Sequence, residues 1–200
     1  MKETGISSSP TTIRPGFSPL DLQDRPLVWK LAAVVFGSLF LALSSYIEVP
    51  MVPVPVTMQT FAVTLVGALY GWRLGGITIV AWLTQGAFGL PVLSGGAAGA
   101  HHFVGPTGGY LFAFPVAGMA IGWLAERGWN GHRPMLAFAG MLIGNAICLV
   151  LGAAWLALLT GPEQAIMSGV APFLVGAVLK SALGAMTLRL MTRGAKRADA

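Results

Sequence analysis

One cysteine, Cys148, in a chain of 200 residues excludes an intrachain disulfide and any cysteine-based metal cluster. Charge is nearly as scarce. Asp, Glu, Lys and Arg make up 10% of the chain, against about 25% in soluble domains, which argues against a water-soluble globule. There is no G-x-x-x-x-G-K-[ST] phosphate loop and no acidic pair placed for Mg2+, so the chain cannot hydrolyse ATP by itself. The interiors of the apolar segments hold no carboxylate, which argues against an intramembrane enzyme and leaves catalytic residues unassigned. They also lack paired inverted repeats and any line of polar residues along several helices, which argues against a channel or secondary transporter. The net charge of +5 comes from short clusters flanking apolar runs rather than from a continuous basic face, so nucleic acid is not an expected partner.

What remains is long and apolar. Hydrophobic residues make up 55% of the chain, in runs sized for a hydrocarbon core of about 30 Å. Residues 1–26 are rich in Ser, Thr and Pro and read as a flexible or loosely attached cytoplasmic tail, not a signal peptide. Six spans follow, near 27–47, 57–71, 73–89, 109–126, 134–160 and 166–191, with Pro172 placed to start the regular part of the last. Residues 27–193 thus form one transmembrane domain, and 194–200 a basic cytoplasmic tail. The fold class is all-α. Lys2, Arg14, Arg25 and Lys30, then Arg73, then Arg127 and Arg133, then Arg189, Arg193, Lys196 and Arg197 all fall on one side of such a bundle. By the positive-inside bias both termini are cytoplasmic, and the cell (inner) membrane is the expected location. Lys180 is the one basic residue left over.

The outward connections are therefore 48–56 (EVPMVPVPV), 90–108, and a short turn at 161–163. Three closely spaced prolines favour an extended path in the first. The second is rich in glycine and low in charge. Irregular backbone at membrane depth is tolerated where protein buries it or where it lines a cavity. Two such segments on one side point to a cap over an outward-facing ligand pocket.

The stretch GLPVLSGGAAGAHHFVGPTGGYLFAF, with TMQTFAVTL at 57–65 and PFLVGAVLKSALG at 172–184, resembles the BioY family, the biotin-binding S components of energy-coupling factor vitamin transporters. The likeness covers about 27–193, and GPTGGY preceded by G-x-P-V-x-x-G-G is its specific part. It implies six helices closing outward loops over one biotin, with no cofactor. It also implies a transmembrane coupling protein and two ATP-binding subunits as partners. A solitary, homo-oligomeric biotin transporter and an S component for another small vitamin are the alternatives. Three positions depart from the family pattern. Leu93-Ser94 stands where many members have Phe-Ala, Trp82 where a tyrosine is usual, and Ala177 where an Asp commonly precedes the sixth-helix Lys180 by three residues.

Biotin offers a ureido ring with two N–H donors and a strong acceptor, an apolar thioether ring, and a carboxylate on a flexible chain. A site for it is mostly apolar with a few placed polar groups. The candidates are Thr57, Gln59, Trp82, Gln85, Asn145 and Lys180, with Gly95, Gly96, Gly105, Pro106, Thr107, Gly108, Gly109 and Tyr110 from the loop. Trp82 or Tyr110 either stacks on the bicyclic ring or packs at an interface. Asn145 is either a ligand contact or an interhelical partner. Gly108 and Gly109 are expected to let backbone approach the ligand. Lys180, deep in the sixth helix, faces either the carboxylate or the ureido oxygen. His101 and His102, adjacent on an extended backbone, should point opposite ways, which does not suit a metal site. Ala33, Gly37, Ser38 and Ala42 on the first helix form a small-residue face that meets either the coupling protein or the other spans.

Overall fold

The computed structural model describes Ser18, Leu20, Leu22 and residues 24–198, with side chains through 194. The rest of the N-terminal tail and the end of the C-terminal one lie outside the described residues. Helix α1 (Leu27–Ser45) leads into a two-residue antiparallel ladder, β1 (Glu48–Val49) with β2 (Val56–Thr57). Then come α2 (Gln59–Ala87), α3 (Gly108–Glu126), α4 (Pro134–Thr160), the short α5 (Pro162–Gly169) and α6 (Phe173–Ala198). Among the described residues, five helices are long and apolar enough to cross a membrane, α2 being one of them.

Helix α2 is not one rod. Gly71 has φ 78° and ψ 174°, which reverses the chain and which residues with a Cβ rarely adopt. Residues 67 and 75 would lie about 12 Å apart along a straight helix. Here a Cβ built on Gly75 would fall 3.1 Å from Gly67 Cα, so the two halves lie side by side. Both halves press on α3 where side chains are missing. A Cβ on Gly67 would strike the Gly118 carbonyl, and one on Gly122 would strike the Trp72 backbone. This α2–α3 seam is the centre of the bundle, with Ala62, Val63, Ile79, Ala113 and Ala117 fully enclosed. Without a hydrophobic drive between helices in lipid, such close backbone contact is what holds them together.

Three sequence expectations change, and the α1 face, left open between two alternatives, packs inside the bundle. The last span, placed at 166–191, is divided: 166–169 belongs to α5, the expected turn at 161–163 is the start of that helix, and α6 starts at Phe173. Pro172 ends any continuous helix there, because it lacks an N–H and pushes Ala171 out of the helical region. Thr57, expected at the top of a helix, lies in β2, so the end of the bundle that carries the 88–107 connection adds a small β-hairpin to an otherwise helical fold. The small-residue face of α1 points inward. Ala33, Gly37, Ser38 and Ala42 are all buried, with Gly37 against Thr78 and Tyr70 of α2. The opposite face of α1, with Val28, Val35, Phe36 and Leu43, is the exposed one. Finally, Ser18 of the tail is buried, and Leu20 and Leu22 pack against the core, so that part of the tail is attached rather than loose.

Candidate ligand-binding site

A cavity of about 360 Å3 lies between the β-hairpin, the 88–107 connection and helices α3, α4 and α6. Its volume falls within the range of pockets that enclose small molecules. Apolar side chains form most of the wall, among them Met51, Val54, Leu93, Leu111, Phe114 and Phe173. Polar groups enter at defined points, and most are held by a hydrogen-bond partner.

The hairpin register determines the first of these. The amide of Met58 donates to the Ile47 carbonyl (2.9 Å), so Glu48 and Thr57 form a non-hydrogen-bonded pair. Their side chains share one face, and the Thr57 carbonyl points away from β1. Lys180 takes that carbonyl: its Nζ donates to Thr57 O (2.5 Å) and lies 3.3 Å from Thr60 Oγ1. An ammonium has three donors, so one remains for the cavity.

The Thr57 hydroxyl donates to Gln59 Oε1 (3.0 Å), and Gln59 Nε2 donates to Ser45 Oγ (3.0 Å). Ser45 in turn donates to the Leu41 carbonyl (2.8 Å), anchoring the hairpin to α1. Asn145 Nδ2 donates to the Met141 carbonyl (3.0 Å) and to Ser181 Oγ (3.1 Å), tying α4 to α6. Tyr110 donates its hydroxyl to the Gly169 carbonyl (2.6 Å) and stacks on Phe173 with ring centroids 6.0 Å apart. Asn145 and Tyr110 therefore each serve as an interhelical partner and as part of the cavity wall.

The BioY family model matches residues 14–197. The chain belongs to the BioY family. A probable biotin transporter BioY of Pyrococcus horikoshii is 36% identical over 156 residues, spanning 76% of this chain and 91% of the relative. Biotin transporter BioY2 of Lactococcus lactis is 33% identical over 158 residues, spanning 78% and 86%. Among solved structures, the S-component for biotin from an ECF-type ABC transporter superposes with a TM-score of 0.70 at 26% identity, covering 83% of this chain and 92% of that one.

Within this BioY chain, Thr57, Gln59, Pro106, Thr107, Tyr110, Asn145 and Lys180 line the cavity as anticipated from sequence. Seven other candidates do not. Trp82 is fully buried behind Phe114, and its indole N–H donates to the Val92 carbonyl (2.9 Å), holding the connection from below. Gln85 faces α1, with Nε2 3.4 Å from Ser38 Oγ. Gly108 and Gly109 serve packing: a Cβ on Gly108 would strike the Phe103 carbonyl of the connection, and one on Gly109 would run into Trp155 of α4. The Gly105 carbonyl accepts from Trp155 Nε1 (3.0 Å). Gly95 and Gly96 pass tightly over Glu48 of β1 and Tyr46 at the end of α1. His101 and His102 sit on a 3-10 turn (Ala100–Phe103), not an extended strand, and their rings lie 4.1 Å apart rather than opposed. His102 lines the cavity, and burial, then the neighbouring His101, lowers its pKa.

The wall also holds residues that sequence reasoning passed over: Glu48, Thr60, Ser94, Phe114, Phe173 and His102 among them. Glu48 had a signal. It is the only acidic residue between Asp24 and Glu126.

Proposed function

We propose that this chain captures biotin in the cavity beneath the hairpin and the 88–107 connection, as the substrate-binding membrane subunit of a biotin uptake system. The observation that carries this reading is the cavity itself: mostly apolar, closed over by two irregular segments, with Lys180 presenting an unused donor, in a chain of the BioY family. Apolar wall suits the thioether ring and valeryl chain, and the placed polar groups suit the ureido and carboxylate ends. Thr57, Gln59, Thr107, Tyr110, Asn145 and Lys180 are the contacts, while Trp82, Gln85 and the glycines shape the wall behind them.

The reading extends to six membrane crossings, the halves of α2 making two of them. Both termini are cytoplasmic, because every flanking Lys and Arg then lies on the inner side of the cell membrane. With no phosphate loop of its own, the chain draws energy for active uptake from a coupling protein and two ATP-binding subunits. Since α1 buries its small-residue face, the surface it offers to such a partner or to lipid is the apolar one bearing Val28, Val35 and Phe36.

Tritiated biotin titrated onto the purified protein in detergent tests the reading. Saturable binding below micromolar biotin is expected. Its absence would remove biotin as the ligand.

A further inference from the structure

Among the described residues, Glu48 is the only carboxylate in the cavity wall. It projects from β1 on the face shared with Thr57, whose carbonyl holds Lys180. Glu48 makes no ion pair with Lys180; its one hydrogen bond among the described residues is accepted by Oε2 from the Ser94 hydroxyl. A carboxylate has about four acceptor positions. Oε1 is thus left without a donor, although it lies close against the backbone at Gly95, where φ is +60° and an added Cβ would come within 2.7 Å of it. The neighbouring cavity residue on α6, Ala177, brings only a methyl group.

The bond to Ser94 is not what keeps the connection in place. Tyr46 donates to the Pro91 carbonyl (2.6 Å), and Trp82 donates to the Val92 carbonyl (2.9 Å), so two other bonds pin the same segment. Ser94 instead orients Glu48 and leaves its second oxygen for an occupant. That occupant must bring N–H donors and no negative charge at this point. A ligand carboxylate would be repelled by Glu48 and drawn to the ammonium of Lys180.

We propose, on the reading that biotin is the ligand, that Glu48 is a specificity-determining residue. It accepts the ureido N–H donors and so sets the ligand's orientation, with the biotin carboxylate directed away from it. Hydrogen bonds to an ionised acceptor are about twice as strong as neutral ones. A site built around such an acceptor also rejects analogues that lack the donor, because the acceptor is then left unpaired.

Dissociation constants for biotin, biotinamide and a biotin methylated on the ureido nitrogens test this in the wild type and in Glu48→Gln, which keeps the side chain's shape. Glu48→Gln should weaken biotin and biotinamide alike by at least tenfold, and the methylated analogue by less than threefold. Equal losses for biotin and the methylated analogue would overturn the assignment, since a merely structural role acts on every ligand. Tighter biotin binding by the variant would overturn it too, by placing the ligand's carboxylate at Glu48. If Glu48→Gln does not fold, Glu48→Ala is measured in the same way; ratios of dissociation constants from one preparation do not depend on the fraction folded. A wild type that binds no biotin would sink the ligand reading along with this one, whereas biotin binding with an unchanged ratio sinks only the role of Glu48.

Discussion

The closed seam between α2 and α3 and the connection above the cavity use glycine for different purposes. In the middle of the bundle, Gly67, Gly118 and Gly122 remove side chains so that backbones touch, and beside Gly122 the Trp72 amide donates to Glu126 Oε1 (3.2 Å). At the hairpin end, Gly95 and Gly96 sit at positive φ in a loop held by side-chain hydrogen bonds from Tyr46, Trp82 and Ser94. The first arrangement leaves no space and fixes the helices. The second surrounds space and keeps it. A cavity persists here because its roof is fastened at a few polar points rather than packed to contact.

Breaking the closed region should have the larger effect. Gly122→Leu would drive a branched side chain into the Trp72 backbone at the α2 reversal, where nothing can move aside. Loss of monodisperse protein on size-exclusion chromatography is expected. Recovery of wild-type amounts with an unchanged melting temperature would mean the seam is looser than described.

A smaller effect follows at the boundary between the two regions. Gly109→Val would meet Trp155 Cβ and come within about 3.0 Å of the Leu151 carbonyl, on the side of α3 away from the cavity. Overpacking of this kind costs roughly 1–3 kcal/mol. The melting temperature should therefore fall, while the biotin dissociation constant of the folded fraction stays within threefold. A stable variant that has lost biotin would return Gly109 to the ligand site.

Much of this was readable in the sequence. Helix α4 runs over 134–160 as expected, because Pro134 is suited to a first helical turn and an unbroken apolar run follows. Lys180 stood out because an ionisable group deep in an apolar helix is costly unless it is used. Other features were hidden for physical reasons. Trp82 and Gln85 carry donors that must be satisfied when buried, and which loop or helix satisfies them depends on tertiary contacts. The small-residue face of α1 looks the same in sequence whether it meets α2 or another protein. Glu48 was overlooked because a lone acid among prolines reads as an exposed loop residue; only the pairing with Thr57 turns it toward the cavity wall. The histidine pair was misread because a short 3-10 turn leaves no clear period in sequence.

The central claim is that the polar, roofed end holds the ligand and that Lys180 is its cationic contact. The most direct measurement is the biotin dissociation constant of Lys180→Met, taken beside its melting temperature. Methionine keeps the length of the side chain and removes the charge. A hydrogen bond to a charged group contributes about 1.5–3 kcal/mol, so binding should weaken at least about tenfold with the bundle still folded. A folded Lys180→Met protein that binds biotin as tightly as the wild type would contradict the account.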